Sequence, residues 1–211
     1  MDIVIPIFND FTALDAIGPY EVLRSMPDAK VVFAAAAKGV VRTDSRMLGL
    51  QADASFDEIE AADILLVPGG WGTRAGMTDE VLLDWIRRVH ATTQWTTSVC
   101  TGSLVLGAAG LLRGLKATTH WAATELLERT GATYTSERVV RQGRIVTGAG
   151  VSAGIDLALT LVAEILGEDM AKAIQLGIEY DPQPPFDAGS PAKAGPRIVE
   201  LSGMARSRKT G

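Results

Sequence analysis

The sequence predicts a doubly wound α/β fold with a mostly parallel sheet, and three features of the chain indicate this class. Apolar runs of strand length alternate with amphipathic segments of helix length. The strand candidates, such as the run ILLV at 64–67, lack polar alternation, which is typical of a sheet covered on both faces. Helical segments between such strands imply right-handed βαβ crossovers.

The strands are predicted from continuous apolar or Val-rich runs, which lie at 3–8, 30–36, 63–67 and 94–99. The region from 40 to 56 is predicted to form short extended segments around Gly49. Near the end of the domain, two further apolar runs predict a hairpin of 134–140 with 144–147 that turns at Gln142-Gly143.

The helices are predicted from amphipathic spacing and from residues that start or stop a helix. They are expected over 14–25, 79–91, 120–130 and 152–166. Pro27 closes the first of them, and Thr78 is predicted to cap the second.

The composition limits the classes of function. The chain has 211 residues, and 20 basic against 25 acidic side chains give a net charge of −5, which argues against a nucleic-acid partner held by a broad basic surface. A single cysteine excludes an intrachain disulfide, a Cys-rich zinc site and a CxxC redox pair. No signal-peptide pattern and no apolar run of membrane-spanning length is present, so we expect a cytoplasmic protein that does not associate with membranes.

The domain boundary is predicted from the proline content. We expect one domain over 1–195 and a disordered C-terminal tail over 196–211. Prolines concentrate at 181–196, which predicts an irregular segment that wraps over a surface. The basic and polar end at 206–211 is expected to fray.

The most informative position is the cysteine, which lies where a predicted strand meets a helix in the run TTSVCTGS at 96–103. This placement is typical of a nucleophile elbow, in which a sharp strand-to-helix turn lifts one side chain above the carboxyl edge of the sheet. Free N–H groups and the positive end of the helix dipole would stabilise a thiolate at Cys100. The alternative is that Cys100 is a buried and unreactive core residue, since free cysteine is among the most buried residue types.

Two further positions are predicted to lie at the same edge of the sheet. Asp15 lies at the start of the helix after the first strand, where its carboxyl could exchange a proton with Cys100. Gly69-Gly70 follows the strand that ends at Val67, where backbone N–H groups could face a developing negative charge. A helix-capping aspartate and an ordinary tight turn are the alternative interpretations.

These motifs resemble those of the DJ-1/PfpI superfamily over residues 2–195, and within it they look most like isonitrile hydratases. The resemblance rests on five segments, which are FTALDAIGPYE at 11–21, VPGG at 67–70, SVCTGS at 98–103, GAAGLL at 107–112 and ATTHW at 117–121. It implies a flavodoxin-like fold, the sandwich also seen in class I glutamine amidotransferases. It further implies a homodimer with no metal and no organic cofactor.

The resemblance also implies a reaction. In isonitrile hydratases the cysteine that matches Cys100 attacks the terminal carbon of an isonitrile and forms a covalent thioimidate. The acid that matches Asp15 moves the proton, and water then releases an N-substituted formamide. Thr101 is implied as a third catalytic residue, with its backbone N–H and its hydroxyl near the reacting atoms. One soft nucleophile and one acid are enough to hydrate a small neutral electrophile.

Three other residues are predicted to shape the pocket. Gly70 matches the backbone part of the oxyanion-hole region in the family. Trp71 is predicted to line the mouth of the pocket, and Gly102 to let a substrate approach the backbone closely. By contrast, Trp85 lies on an amphipathic helix and is predicted to belong to the core.

Position 101 separates the candidate functions. Protease- and deglycase-like members place a histidine directly after the cysteine, and Thr101 at that position weakens a protease or deglycase function. His120 lies beyond the next helix and is interpreted as structural, and His90 as a solvated residue at a helix end.

A competing function is a ligand- or redox-sensing domain without turnover. The same fold and a similar elbow form the N-terminal part of AraC-type transcriptional regulators, and a thiol beside a carboxylic acid can also be oxidised. Those regulators carry a further helix-turn-helix region of about a domain's length, which the sequence up to Gly211 does not include. We therefore expect the enzyme rather than the sensor.

Overall fold

The computed structural model describes residues 1–204, and a seven-stranded sheet lies at its centre. The strands of the described residues are β1 (Asp2–Pro6), β2 (Lys30–Ala35), β3 (Gly39–Arg42), β4 (Gly49–Ala52), β5 (Ala54–Ser55), β6 (Ile64–Val67), β7 (Trp95–Val99), β8 (Lys116–Ala117), β9 (Thr133–Tyr134), β10 (Val139–Gln142) and β11 (Ile145–Gly148). The helices are α1 (Ala13–Leu23), α2 (Thr73–Gly76), α3 (Glu80–Thr92), α4 (Gly102–Ala108), α5 (Thr124–Arg129), α6 (Ala153–Leu166), α7 (Glu168–Gly177) and α8 (Pro191–Leu201), with 3-10 turns at Phe56–Glu58 and Trp121–Ala123.

The order of the strands confirms the predicted doubly wound fold. The central sheet runs β10-β11-β7-β6-β1-β2-β5, and its pairs are parallel except for β10 with β11. From β1 the chain moves to β2 on one side and later returns to β6 on the other side. Such a reversal in strand order opens a crevice at the carboxyl ends of the strands, which is where open α/β sheets bind ligands.

Two apolar layers cover the faces of the sheet. One includes Leu82, Trp85 and Leu104 from α3 and α4, and the other includes residues of α1 and α6 such as Leu161. Trp85 is a core residue, as predicted, because its ring stacks on Phe56 at 4.4 Å and its Nε1 donates to a backbone carbonyl. Within residues 1–204 no helix is both long enough and apolar enough to cross a membrane.

Several local predictions are wrong. The cap of α3 is Asp79 rather than Thr78, because the Asp79 carboxylate accepts hydrogen bonds from the N–H groups of Val81 and Leu82. Tyr134 does not join the hairpin of β10 and β11 but ends β9, which pairs with β8 in a separate small sheet. Helix α7 has no counterpart in the predicted elements.

The C-terminal segment is also more regular than predicted. Helix α8 lies within the segment expected to be irregular and continues into the tail expected to be disordered. Ser190 caps it by accepting from the N–H of Lys193, and Pro191 occupies the first turn, where a missing N–H costs nothing. Gly195 has a φ of 75°, which kinks the chain and accommodates Pro196. The predicted frayed end at 206–211 lies outside the described residues.

Candidate active site

Cys100 lies at a sharp turn between β7 and α4, and its backbone conformation matches the predicted elbow. Its φ is 57°, in the left-handed region that residues with a Cβ rarely adopt. The side chain is buried, with 5% of the residue surface exposed. The backbone N–H groups of Thr101 and Val151 donate toward the sulfur. The turn therefore presents the thiol to two backbone donors at the carboxyl edge of the sheet.

Asp15 lies beside Cys100, as the position of α1 after β1 predicts. The carboxyl is fully buried, and its Oδ2 accepts a hydrogen bond from the N–H of Gly69 at 2.9 Å. Its Oδ1 has no hydrogen-bond partner among the described residues, and the Cys100 thiol is the neighbouring side chain that lowers the pKa of this carboxyl. The carboxyl and the thiol thus form a pair whose remaining polar contacts are backbone N–H groups.

Burial controls the protonation of this pair. Desolvation raises the pKa of Asp15 to about 7, against the opposing effects of the Gly69 N–H and the thiol. Desolvation, followed by the negative charge of Asp15, raises the pKa of the Cys100 thiol to about 12. Near neutral pH the thiol therefore keeps its proton, whereas Asp15 is divided between its acid and carboxylate forms.

Thr101 contacts Gly70 rather than open space. Its Oγ1 accepts from the N–H of Gly70 at 2.9 Å and lies 3.1 Å from the carbonyl oxygen of the same residue. The N–H groups of both glycines in the turn are therefore engaged, that of Gly69 by Asp15 and that of Gly70 by Thr101. The N–H donors at the sulfur are instead those of Thr101 and Val151.

The other two predicted pocket residues occupy different positions. Trp71 is about half exposed and lies at the pocket rim. Gly102 is the first residue of α4 and does not belong to the pocket wall, because a Cβ there would overlap the carbonyl oxygen of Val67 at the end of β6. Its absent side chain thus allows close packing of a helix start on a strand end.

The pocket at Cys100 is small. Its volume is about 90 Å³, far below the roughly 300–1,000 Å³ of sites for drug-sized ligands. We call it the Cys100 pocket, and its walls include Gly70, Trp71, Arg74, Thr101, His120 and Val151. Within residues 1–204 no group of three His, Cys, Asp or Glu side chains could hold a metal ion.

Sequence reasoning missed two charged residues of this pocket. Arg74 comes soon after the Gly69-Gly70 turn at the carboxyl edge, and this position in the sequence could have indicated that it lines the pocket. Asp44 comes from the loop between β3 and β4, where no sequence pattern indicates a site, and it accepts from the Thr12 hydroxyl at 2.6 Å. The charge of Asp44 adds to the rise in the pKa of Asp15.

The two histidines also differ from simple expectations. His120 lines the Cys100 pocket, while its Nδ1 accepts from the N–H of Ala122 and so caps a 3-10 turn. Burial, and then the positive charge of Arg74, lowers its pKa. His90 is half-buried rather than solvated, and it hydrogen-bonds Thr96 and Arg144 at the opposite end of the sheet.

The fold and the site define an α/β protein with a cysteine elbow and an adjacent buried carboxyl. The model of the DJ-1/PfpI family matches residues 1–164, and the chain belongs to this family. The chain is 48% identical over 195 residues to an isonitrile hydratase from Pseudomonas putida, which covers 92% of this chain and 85% of that protein.

Other relatives show the range of the family. An HTH-type transcriptional regulator, CdhR from Pseudomonas aeruginosa, is 31% identical over 60% of this chain, but the match spans only 38% of the regulator. A solved structure of a THiJ/PfpI family protein from Pseudomonas syringae superposes with a TM-score of 0.91 at 39% identity, over 96% of this chain and 84% of that one. Oxidized DJ-1 from Toxoplasma gondii superposes with a TM-score of 0.75 at 24% identity, which is a likeness of fold alone.

Proposed function

We propose that this protein is an isonitrile hydratase, a lyase that converts an isonitrile and water into an N-substituted formamide. The observation that carries the proposal is the pairing of Cys100, which lines the small pocket, with the fully buried carboxyl of Asp15 beside it. Similarity to the Pseudomonas putida isonitrile hydratase over 92% of the chain supports the same reaction here.

The first step joins the thiol to the substrate. Asp15, as carboxylate, takes the thiol proton while the sulfur lone pair forms a bond to the terminal carbon of the isonitrile. Asp15 then gives that proton to the same carbon, so that S–H has added across it and a neutral thioimidate, R–N=CH–S–Cys100, results. Asp15 returns to its carboxylate form, and no redox change takes place.

The second step releases the product. Asp15 removes a proton from a water molecule, whose oxygen attacks the thioimidate carbon. Asp15 gives the proton taken from water to the thioimidate nitrogen, the C–S bond breaks, and the remaining hydroxyl proton passes to the sulfur as the N-substituted formamide leaves. One carboxyl that titrates near neutral pH can serve as both base and acid in these steps.

Backbone contacts keep the reacting groups in position. Gly69 orients the Asp15 carboxyl by donating to Oδ2, and the N–H groups of Thr101 and Val151 lie where they can stabilise negative charge on the sulfur. We propose that Thr101 contributes through its backbone N–H and by holding the Gly70 turn with its hydroxyl.

A formamide assay tests the proposal. Purified protein is mixed with a small alkyl isonitrile, and formamide is quantified for wild type, Cys100→Ala, Asp15→Asn and the surface control Asp57→Asn. We expect no turnover in Cys100→Ala and a loss of about 10²–10⁴-fold in Asp15→Asn. For wild type, kcat/KM should rise with pH through about 7 as Asp15 ionises. Equal formamide production by Cys100→Ala would exclude the cysteine mechanism.

A sensing domain is the second candidate, supported by the 31% identity to the regulator CdhR over 60% of this chain. A sensor would bind a small ligand in the Cys100 pocket or oxidise the thiol without releasing product. Thiol-reduced protein that turns over no isonitrile, yet changes its melting temperature with a small ligand or peroxide, would favour this function.

We also propose that the protein is a cytoplasmic homodimer, without a nucleic-acid or membrane partner. The family resemblance supports the dimer, and the single thiol suits a reducing compartment. Light scattering coupled to size-exclusion chromatography gives the oligomeric state directly. A monomer mass at assay concentrations would contradict the dimer.

A further inference from the structure

Among residues 1–204, the guanidinium in the wall of the Cys100 pocket has no counterion. Arg74 is half-buried in its wall, beside Trp71 and across from the thiol. Within residues 1–204 no carboxylate forms an ion pair with Arg74. The carboxyl of Asp44 also lines the pocket, but it accepts a hydrogen bond from the Thr12 hydroxyl instead. A half-buried cation without an anion is uncommon, because desolvation of the charge is then uncompensated.

The guanidinium has a fixed orientation. Its Nη1 donates to the carbonyl oxygen of Gly70 at 3.2 Å and to the Thr73 hydroxyl at 3.3 Å. The plane is further held by the Trp71 ring, whose centroid lies 4.7 Å from the guanidinium carbon. Two neutral acceptors contact Nη1, and among residues 1–204 no acceptor contacts Nε or Nη2, whose hydrogens can therefore serve a ligand.

The electrostatics of the pocket fit an anion. Burial lowers the pKa of Arg74, and the neighbouring Cys100 sulfur acts in the opposite direction. A bound carboxylate would supply a counterion and accept hydrogen bonds from Nε and Nη2 of Arg74. Guanidinium favours such paired hydrogen bonds to a carboxylate. The pocket volume of about 90 Å³ restricts such a ligand to one that places its carboxylate close to the reacting carbon.

We propose that Arg74 binds a carboxylate of the substrate, so that the substrates are small isonitriles that carry a carboxylate near the isonitrile carbon. Arg74 is then the residue that selects anionic over neutral substrates. The identity of the reacting group rests on the proposed function, whereas recognition of a carboxylate beside Cys100 does not.

The carboxylate site can be tested without isonitrile chemistry. Iodoacetate and iodoacetamide are similar in size and alkylate the same thiol, but only iodoacetate carries a carboxylate. Because the chain has a single cysteine, intact mass reports alkylation of Cys100 alone. Rates are measured for wild type, Arg74→Gln, Arg74→Lys and the exposed control Arg46→Gln, which removes the same charge outside the pocket wall.

The readout is the ratio of the iodoacetate rate to the iodoacetamide rate. We expect Arg74→Gln to lower this ratio by about 10- to 100-fold, Arg74→Lys to restore part of it, and Arg46→Gln to leave it at the wild-type value. A merely structural role of Arg74 at the Gly70 turn would change both rates together and leave the ratio constant. A constant ratio in Arg74→Gln therefore overturns the proposal.

A substrate pair then tests selectivity in the reaction itself. An isonitrile with a carboxylate and its neutral methyl ester are compared in the formamide assay. The acid should have the higher kcat/KM in wild type, and Arg74→Gln should reverse or abolish this preference mainly through KM. Turnover of the ester alone would leave the hydratase in place and refute the carboxylate site. If neither compound is hydrated while the alkylation ratio still depends on Arg74, the anion site stands and the hydratase function fails.

Discussion

The backbone at Cys100 is held by its surroundings. The N–H of Cys100 donates to the carbonyl oxygens of Gly148 and Ala149 at 3.0 and 2.9 Å, and its own carbonyl accepts from the hydroxyls of Ser103 and Thr119. A left-handed conformation costs a residue with a Cβ about 1–2 kcal/mol. Contacts with two other segments thus offset the strain that lifts the thiol toward Asp15.

The negative charge of Asp15 contributes to the raised pKa of the Cys100 thiol, and this contribution can be tested. Asp15→Asn keeps the shape of the side chain and its acceptor for Gly69 but removes the negative charge that raises the pKa of Cys100. We expect the thiol pKa to fall, and alkylation by iodoacetamide at fixed pH to become about 10-fold faster, the change that one pKa unit produces.

The control for this measurement is Asp44→Asn, which removes a carboxyl of the same pocket. Asp44 acts on the pKa of Asp15 and is not a cause of the shift at Cys100. At a pH well above 7, where Asp15 is ionised in both proteins, its removal should therefore leave the alkylation rate close to that of wild type. Equal rates for wild type and Asp15→Asn would mean that burial alone sets the thiol pKa.

At the scale of elements, the start of α4 is the closest approach between a helix and a strand end near the site. Gly102→Ala would place a methyl group on the carbonyl oxygen of Val67. We expect a loss of about 1–3 kcal/mol in the free energy of unfolding, measured by urea denaturation, because the helix must move away from β6.

A matched substitution isolates this steric effect. Gly177 ends α7 and has open space around the position of a Cβ. Gly177→Ala should therefore change stability by less than about 0.5 kcal/mol. If the two variants unfold at the same urea concentration, the close packing of α4 on β6 does not contribute to stability.

The long elements were predictable from sequence because their patterns are strong. The buried strands β1, β6 and β7 consist mostly of apolar or β-branched residues, and α3 has a clear apolar stripe. Helix α8 was missed because its prolines resemble a loop in sequence. Only the Ser190 cap and the left-handed Gly195 show how a helix accommodates them.

The part of the site that lies near the ends of predicted strands could be predicted from the sequence. Cys100 directly follows β7 and Asp15 lies in the first turn of α1 after β1, so the topology brings both to the carboxyl edge of the sheet. Arg74 reaches the pocket from the short helix α2 and Asp44 from the loop between β3 and β4, and the positions of both depend on tertiary contacts such as the bridge between Phe11 and Thr43. No local pattern records such contacts.

At the scale of the whole molecule, a second polar cluster connects α3 to the strands at the end of the sheet opposite the pocket. His90 at the end of α3 contacts the Thr96 hydroxyl at 2.7 Å through Nδ1 and Nη2 of Arg144 at 3.0 Å through Nε2. Arg144 also donates to the carbonyl oxygens of His90 and Thr93. This geometry requires a neutral imidazole, since Arg144 donates to Nε2.

The stability of the fold should therefore depend on His90. Burial, and then the charge of Arg144, lowers its pKa below the usual 6.5. The unfolded chain then binds more protons below pH 6.5, so stability falls as the pH drops through that value toward the folded pKa. Because His90 is partly exposed, solvent screening keeps this loss small.

Urea unfolding of wild type and His90→Asn across this pH range measures the effect. The asparagine amide keeps a donor for Thr96 and does not titrate, so the difference between the two proteins should shrink as the pH falls. Asp15 contributes equally to both proteins and in the opposite direction, because its raised pKa favours the protonated folded form at low pH. A difference that is independent of pH would contradict the role of His90.

The two edges of the central sheet limit how the protein can join other chains. One edge is β5, which is only two residues long, and the other is β10, whose Arg141 pairs with Glu164 and lies over Trp95. Short or charged edge strands are poor templates for the addition of a further strand. Amyloid-like stacking of native copies through the edges of the central sheet is therefore disfavoured.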